Sequence, residues 1–170
     1  MTLPFSLFLA DKTPTYFPQK IMSSLMNGGI MTEVQAFEYF VNWKKDDRLD
    51  IDLNGRVPKD HTIRLDLSER WRKDNKIHFV IGNRTKERYQ FAPVVPCTGT
   101  QSLFMSLNQY NELEVSLEDK YLYKPELEVL AKRDGFDSYE AFESWFITFL
   151  KGQPDQCAHT KIIHWTNELY

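Results

Sequence analysis

The sequence predicts an α+β fold: a small mixed, mostly antiparallel β-barrel with flanking helices at its mouth and an inserted helical segment. Many short runs alternate apolar with polar residues, and few stretches carry apolar residues at helical spacing. Turn signals such as Lys73-Asp74-Asn75 and Gly82-Asn83 separate the short runs. Numerous short strands with few helices point to such a barrel. At 170 residues the chain is the size of one domain, and 42% hydrophobic with 14% aromatic residues supply a core. It needs no covalent staple to fold.

Residues 3–10 are apolar and read as a buried first strand. They lack a basic leader and run at once into Asp11 and Lys12, unlike a secretory signal. Asn27-Gly28-Gly29 reads as a flexible joint. A helix over 32–45 follows, opened by a Thr-x-x-Gln capping box of Thr32 and Gln35. It carries Val34, Phe37 and Val41 on one face and Ala36, Phe40 and Trp43 on another. A helix apolar over more than half its circumference is wedged between two surfaces or offers one to a partner.

Alternation marks strands at 62–67, 76–81, 101–107 and 112–118, with a closing run at 161–166. Pro125 opens a helix at a position where its missing N–H costs nothing; Leu127, Leu130 and Ala131 form its inner face and Gly135 closes it. The next helix starts at about Asp137, a capping carboxylate with Glu140 three residues on, and ends at Lys151 and Gly152 before Pro154. Its residues Phe142, Trp145, Phe146 and Phe149 recur at helical spacing and read as core.

Two cysteines, Cys97 and Cys157, are too few and too far apart for a disulfide framework and lack metal-ligand spacing. That usage fits a reducing, cytoplasmic setting. No segment approaches the roughly 20 apolar residues that span a bilayer, so no membrane partner is expected. His61, His78, His159 and His164 also lack metal-ligand spacing, and neither a metal nor a cofactor is expected.

The formal net charge of -3 is unevenly spread. From Arg64 to Arg88 eight basic residues stand against four acidic ones, whereas from Glu112 to Glu143 ten acidic residues face four basic ones. The basic stretch is either a site for a local anionic ligand or a set of ordinary solvated hairpin charges. On the strand that leads into it, period two puts Ile63, Leu65 and Leu67 into the core and aligns Thr62, Arg64 and Asp66 on the opposite face. Arg64 suits a phosphate or carboxylate because its fork donates two parallel hydrogen bonds; a surface salt bridge is the other reading.

Five pieces resemble the ASCH domains of the PUA-like superfamily. They are Phe17-Pro18-Gln19-Lys20-Ile21, His61-Thr62-Ile63-Arg64, the run from Arg70-Trp71-Arg72 to His78-Phe79, Leu130-Ala131-Lys132-Arg133-Asp134-Gly135-Phe136 with the following Phe142 and Trp145, and Ile163-His164-Trp165-Thr166. They span nearly the whole chain in the family's order. The resemblance implies a PUA-like β-barrel whose cleft binds RNA or a modified nucleoside. Some members hydrolyse acetylated cytidine with a Thr nucleophile, a Lys three residues before it and an acidic residue ahead of the second helix; others are described as ribonucleases or RNA binders. By matching position these are Thr62, Lys59 and Asp134.

A Thr hydroxyl needs a base to take its proton, and a Lys serves only if its pKa falls toward about 7 to 8. Burial and Arg64 push Lys59 down, whereas Asp134 pushes it up. The sequence departs from the family in three ways: residues 27–58 are inserted ahead of the Lys, Val57 replaces a Gly, and Asp60 replaces a Thr. The expected ligand is thus RNA or a nucleoside, with Arg64, Arg72, Lys73 and Trp71 contributing affinity and His61 a cleft residue beside Thr62. Trp71, between two arginines, is the favoured base-stacking residue, with Tyr89 and Tyr170 also able to stack. A third expectation is a protein partner or a second copy docking on Phe37, Phe40 and Trp43 of the inserted helix.

Overall fold

The computed structural model describes residues 1–9, 12–43 and 56–170. The chain is mixed α+β, and its described strands form two mostly antiparallel sheets. The first joins β1 (Thr2–Pro4), β3 (Lys76–Ile81), β4 (Tyr89–Gln90) and β5 (Val95–Pro96). The second runs in the order β2 (His61–Arg64), β9 (Cys157–His164), β6 (Gly99–Leu107), β7 (Leu113–Leu117), β8 (Lys120–Tyr121). Among the described residues neither ladder closes on itself, so the expected α+β class with mostly antiparallel strands is seen as two sheets. β2 is an edge strand of the second sheet.

Four α-helices complete the described fold: α1 (Phe17–Asn27), α2 (Glu33–Asn42), α3 (Lys124–Arg133) and α4 (Tyr139–Lys151). α1 starts with Pro18 in its first turn and buries Ile21, Met22 and Leu25. In α2 the Thr32/Gln35 capping box forms as predicted, while the expected end at Lys45 lies outside the described residues. The cap of α4 differs from expectation: Ser138 accepts the Ala141 N–H, and Asp137 turns away to pair with Lys20.

Two apolar cores flank the second sheet. Strand alternation splits β9 between them, with Ile163 in the core under β1, β3, α1 and α2, and Ile162 in the core under α3 and α4. β2 follows the same rule, since Thr62 pairs with Ile163 and Ile63 with Ile162.

Several sequence expectations need correction. β2 ends at Arg64, and Leu65 and Leu67 are 42% and 85% exposed rather than core. The Asp66 carboxylate accepts the N–H groups of Arg70 and Trp71 at 3.0 and 2.8 Å, which turns the chain away from the sheet. The first strand stops at Pro4, with Ala10 and Asp11 outside the described residues. Gly28 and Gly29 form a bonded helix stop, donating to Ser24 and Met26 carbonyls, with Gly29 at φ +67°.

Candidate functional site

The residues expected to carry chemistry converge at the free edge of β2. A cavity of about 360 Å³ is lined there by Lys59, Thr62, Arg64 and Asp134, walled by Phe17, Phe136 and Trp145. Backbone bonds place the critical side chains: Lys59 N–H donates to the Lys20 carbonyl of α1, and Asp60 N–H to the Arg133 carbonyl of α3. Lys59 therefore stands beside α1, although 27–58, the expected insertion, separate the two in sequence. Of the insertion, 44–55 lie outside the described residues. Asp60 accepts the Ser24 hydroxyl at 2.7 Å and lies 3.9 Å from Arg133.

Lys59 is 1% exposed, and its Nζ donates to Asp134 Oδ1 at 2.8 Å and to the Asp134 carbonyl. Nζ also sits 4.6 Å from the centroid of the Phe17 ring. Burial is the largest influence on Lys59 and lowers its pKa to about 8, with Arg64 and Lys20 lowering it further and Asp134 opposing them. Burial alone would raise Asp134, but Lys59 and His61 outweigh it and hold the carboxylate below its usual range. The site at neutral pH is thus an ion pair whose cation gives up its proton unusually easily.

Gly135 makes this approach sterically open. It has φ +82°, and a Cβ there would lie 2.9 Å from Lys59 Cβ. Glycine is needed both for the left-handed turn after α3 and for the passage of the Lys59 stem.

His61 lies behind the pair rather than in the cavity. Its Nδ1 is 3.5 Å from Asp134 Oδ1, and its Nε2 is 2.8 Å from the Tyr170 hydroxyl. Burial, its largest influence, lowers the His61 pKa and favours the neutral ring, whose Nδ1 lies near the carboxylate without a hydrogen bond. Tyr170 is held in turn by Gln101, whose side chain bonds the Tyr170 backbone N–H and carbonyl at 3.0 and 3.1 Å, and by Arg133, 4.5 Å over its ring. Arg64 donates through Nη2 to the Pro4 carbonyl at 2.6 Å and stacks 5.1 Å over Phe5, while its Nε has no partner among the described residues.

The remaining expected residues lie elsewhere. Trp71 is 6% exposed in the first core, which removes it as a stacking surface. Arg72 and Lys73 are exposed on the turn before β3 and do not line the cavity. Trp43 is buried at 8% and Phe40 packs against it at 5.6 Å, so of the three expected docking residues only Phe37, at 57%, is exposed.

Two participants, Lys20 and Trp145, were not read as site residues in the sequence, and a third, Tyr170, was read only as a possible stacking residue. Lys20, buried and bonded to Asp137 and to the Gly135 carbonyl at 2.7 Å each, belongs to α1, which Pro18 and the spacing of Ile21, Met22 and Leu25 signal. Trp145 read as core yet is 41% exposed at the cavity wall. Tyr170 behind His61 depends on a contact 109 residues apart, for which the sequence carries no sign. No family model, curated protein or solved structure matches this chain.

Proposed function

We propose that the cavity at the β2 edge is the active site of an amidohydrolase acting on an acylated, cytidine-type nucleoside. The observation that carries this reading is the buried Lys59–Asp134 pair, with Lys59 at about pKa 8, in one cavity with Thr62. A lysine of that pKa is neutral in about a tenth of molecules at pH 7, against a few in ten thousand for an ordinary one. Neutral Lys59 takes the Thr62 hydroxyl proton as Thr62 Oγ1 adds to the acyl carbonyl carbon. The tetrahedral adduct then collapses: its C–N bond breaks, the Lys59 proton passes to the leaving nitrogen, and an acyl ester stays on Thr62. Water, activated by the same amine, hydrolyses that ester and restores the hydroxyl. Asp134 holds Lys59 in place, while the unpaired Nε of Arg64 suits the developing oxyanion.

The resemblance of His61-Thr62-Ile63-Arg64 and Lys59 to the ASCH pattern supports the reading, and with it comes the finer proposal that the two sheets are the halves of a PUA-like barrel. A second reading, a module that binds RNA, rests on a separate observation. Arg70, Arg72, Lys73, Lys76, Arg84, Lys86 and Arg88 are all exposed, and such a stretch is suited to phosphates.

The test is incubation of the protein with N-acetylated cytidine, with products followed by mass spectrometry. Release of acetate and cytidine by the unmodified chain, with loss of at least about a hundredfold in Lys59→Ala, is the expected result. Equal rates in the two proteins would sink the assignment. Salt-sensitive RNA binding without turnover would favour the second reading.

A further inference from the structure

Trp145 stands apart from its neighbours on α4. Phe142, Phe146 and Leu150 are buried at 5% exposure or less, whereas Trp145 is 41% exposed. It is also unlike the other three tryptophans: Trp43, Trp71 and Trp165 are 8%, 6% and 1% exposed. Leaving an indole in water forfeits apolar burial, and a large exposed aromatic that faces a concavity marks a contact surface.

Trp145 faces two concavities. It lines the cavity that holds Lys59, Thr62 and Asp134, and it lines a second one of about 420 Å³ that extends past Lys20 to Thr13 and Pro14. Phe17 and Phe136 line both as well, so the two compartments share an aromatic partition. Phe17 and Phe136 are braced edge to face at 6.4 Å, and Phe136 rests on Phe142 at 5.3 Å. Among the described residues no ring contact covers Trp145 itself, which leaves its indole free to take a ring from outside.

Two of the three cations that line these cavities are paired with carboxylates, and the third, Arg64, donates to the Pro4 carbonyl. Lys59 is paired with Asp134 at 2.8 Å and Lys20 with Asp137 at 2.7 Å. An aromatic wall between two neutralised pairs suits an uncharged, planar ring that carries polar edges.

We infer that the partition is a stacking subsite for a neutral heteroaromatic ring of the nucleobase class, one face on the Trp145 indole and its exocyclic substituent toward Lys59 and Thr62. This deepens the proposed function and rests on it for the direction of the substituent. Trp145 is then the residue that selects for a planar ring.

The test is a titration of the full chain with cytidine, N-acetylated cytidine and, as a ring-free control, ribose 5-phosphate, followed by tryptophan fluorescence. The other three tryptophans are buried, so quenching reports Trp145. Saturable quenching by both nucleosides and none by the control is expected. Trp145→Ala should abolish the quenching and weaken binding, measured by calorimetry, by about tenfold or more, with Trp145→Phe recovering most of the affinity. Absence of saturable quenching, or unchanged affinity in Trp145→Ala, overturns the inference. Turnover of N-acetylated cytidine with the same KM in Trp145→Ala overturns it too and leaves the hydrolase reading intact. Quenching without turnover supports the subsite and counts against the hydrolase.

Discussion

A buried lysine is the residue on which the account turns. Desolvation of Lys59 exceeds what Asp134 returns, which is why its pKa falls to about 8 from an ordinary 10.5. Between those two values the unfolded chain holds a proton that the folded chain has lost. Stability therefore rises with pH across that window, by on the order of 3 kcal/mol in total from this group. Urea unfolding at pH 8 and at pH 10.5 should show the unmodified chain gaining on Lys59→Met, and equal gains in both would refute it. Asp134 acts in the opposite range: its folded pKa is depressed, so its contribution is present at neutral pH and lost as acid carries the pH below the usual carboxylate value. The types and order of Lys59, Thr62 and Asp134 were legible in the sequence. What was not legible is the sign of the balance on Lys59, because burial depends on α1, which the alternation pattern does not reach.

At the scale of elements, the site is a product of how helices end. α3 stops at Asp134, and Gly135 at φ +82° lets the chain turn while the Lys59 stem passes beneath it. Gly135→Ala should cost about 1 to 3 kcal/mol from the left-handed backbone and should displace Lys59 as well. Ser138→Ala, by comparison, removes only the α4 cap, about 1 kcal/mol, and should leave turnover per folded molecule unchanged. Circular dichroism melting with activity assays on both variants separates the two effects; equal activity in both would show that Gly135 does not shape the site. Helix caps and strand cores were largely readable, as the Thr32 box and the 76–81 strand show. Errors arose where a short polar side chain redirected the backbone: Asp66 ended β2 early, and Asp137 left its capping position to Ser138 because Lys20 was a stronger partner.

For the whole molecule, the informative feature is an edge. Local periodicity identified most strands, but which strands pair is set by long-range packing, and the division of the strands between two sheets was not readable from it. β9 lies between both cores and pairs with β2 and β6, so it connects the two halves that the sequence could not arrange. The edge left at β2 becomes the floor of the cavity, and the aromatic residues of α1 and α4 cover it. Trp71 and Trp145 exchanged their expected positions for the same reason, since which one faces solvent depends on the placement of α4 and of the turn after β2.

The most direct measurement is the pH dependence of kcat/KM for N-acetylated cytidine between pH 6 and 10. The account predicts a rate that rises tenfold per pH unit and levels off above an apparent pKa of about 8, as Lys59 loses its proton. A rate independent of pH through this range, or the same rise in Lys59→Ala, would contradict it.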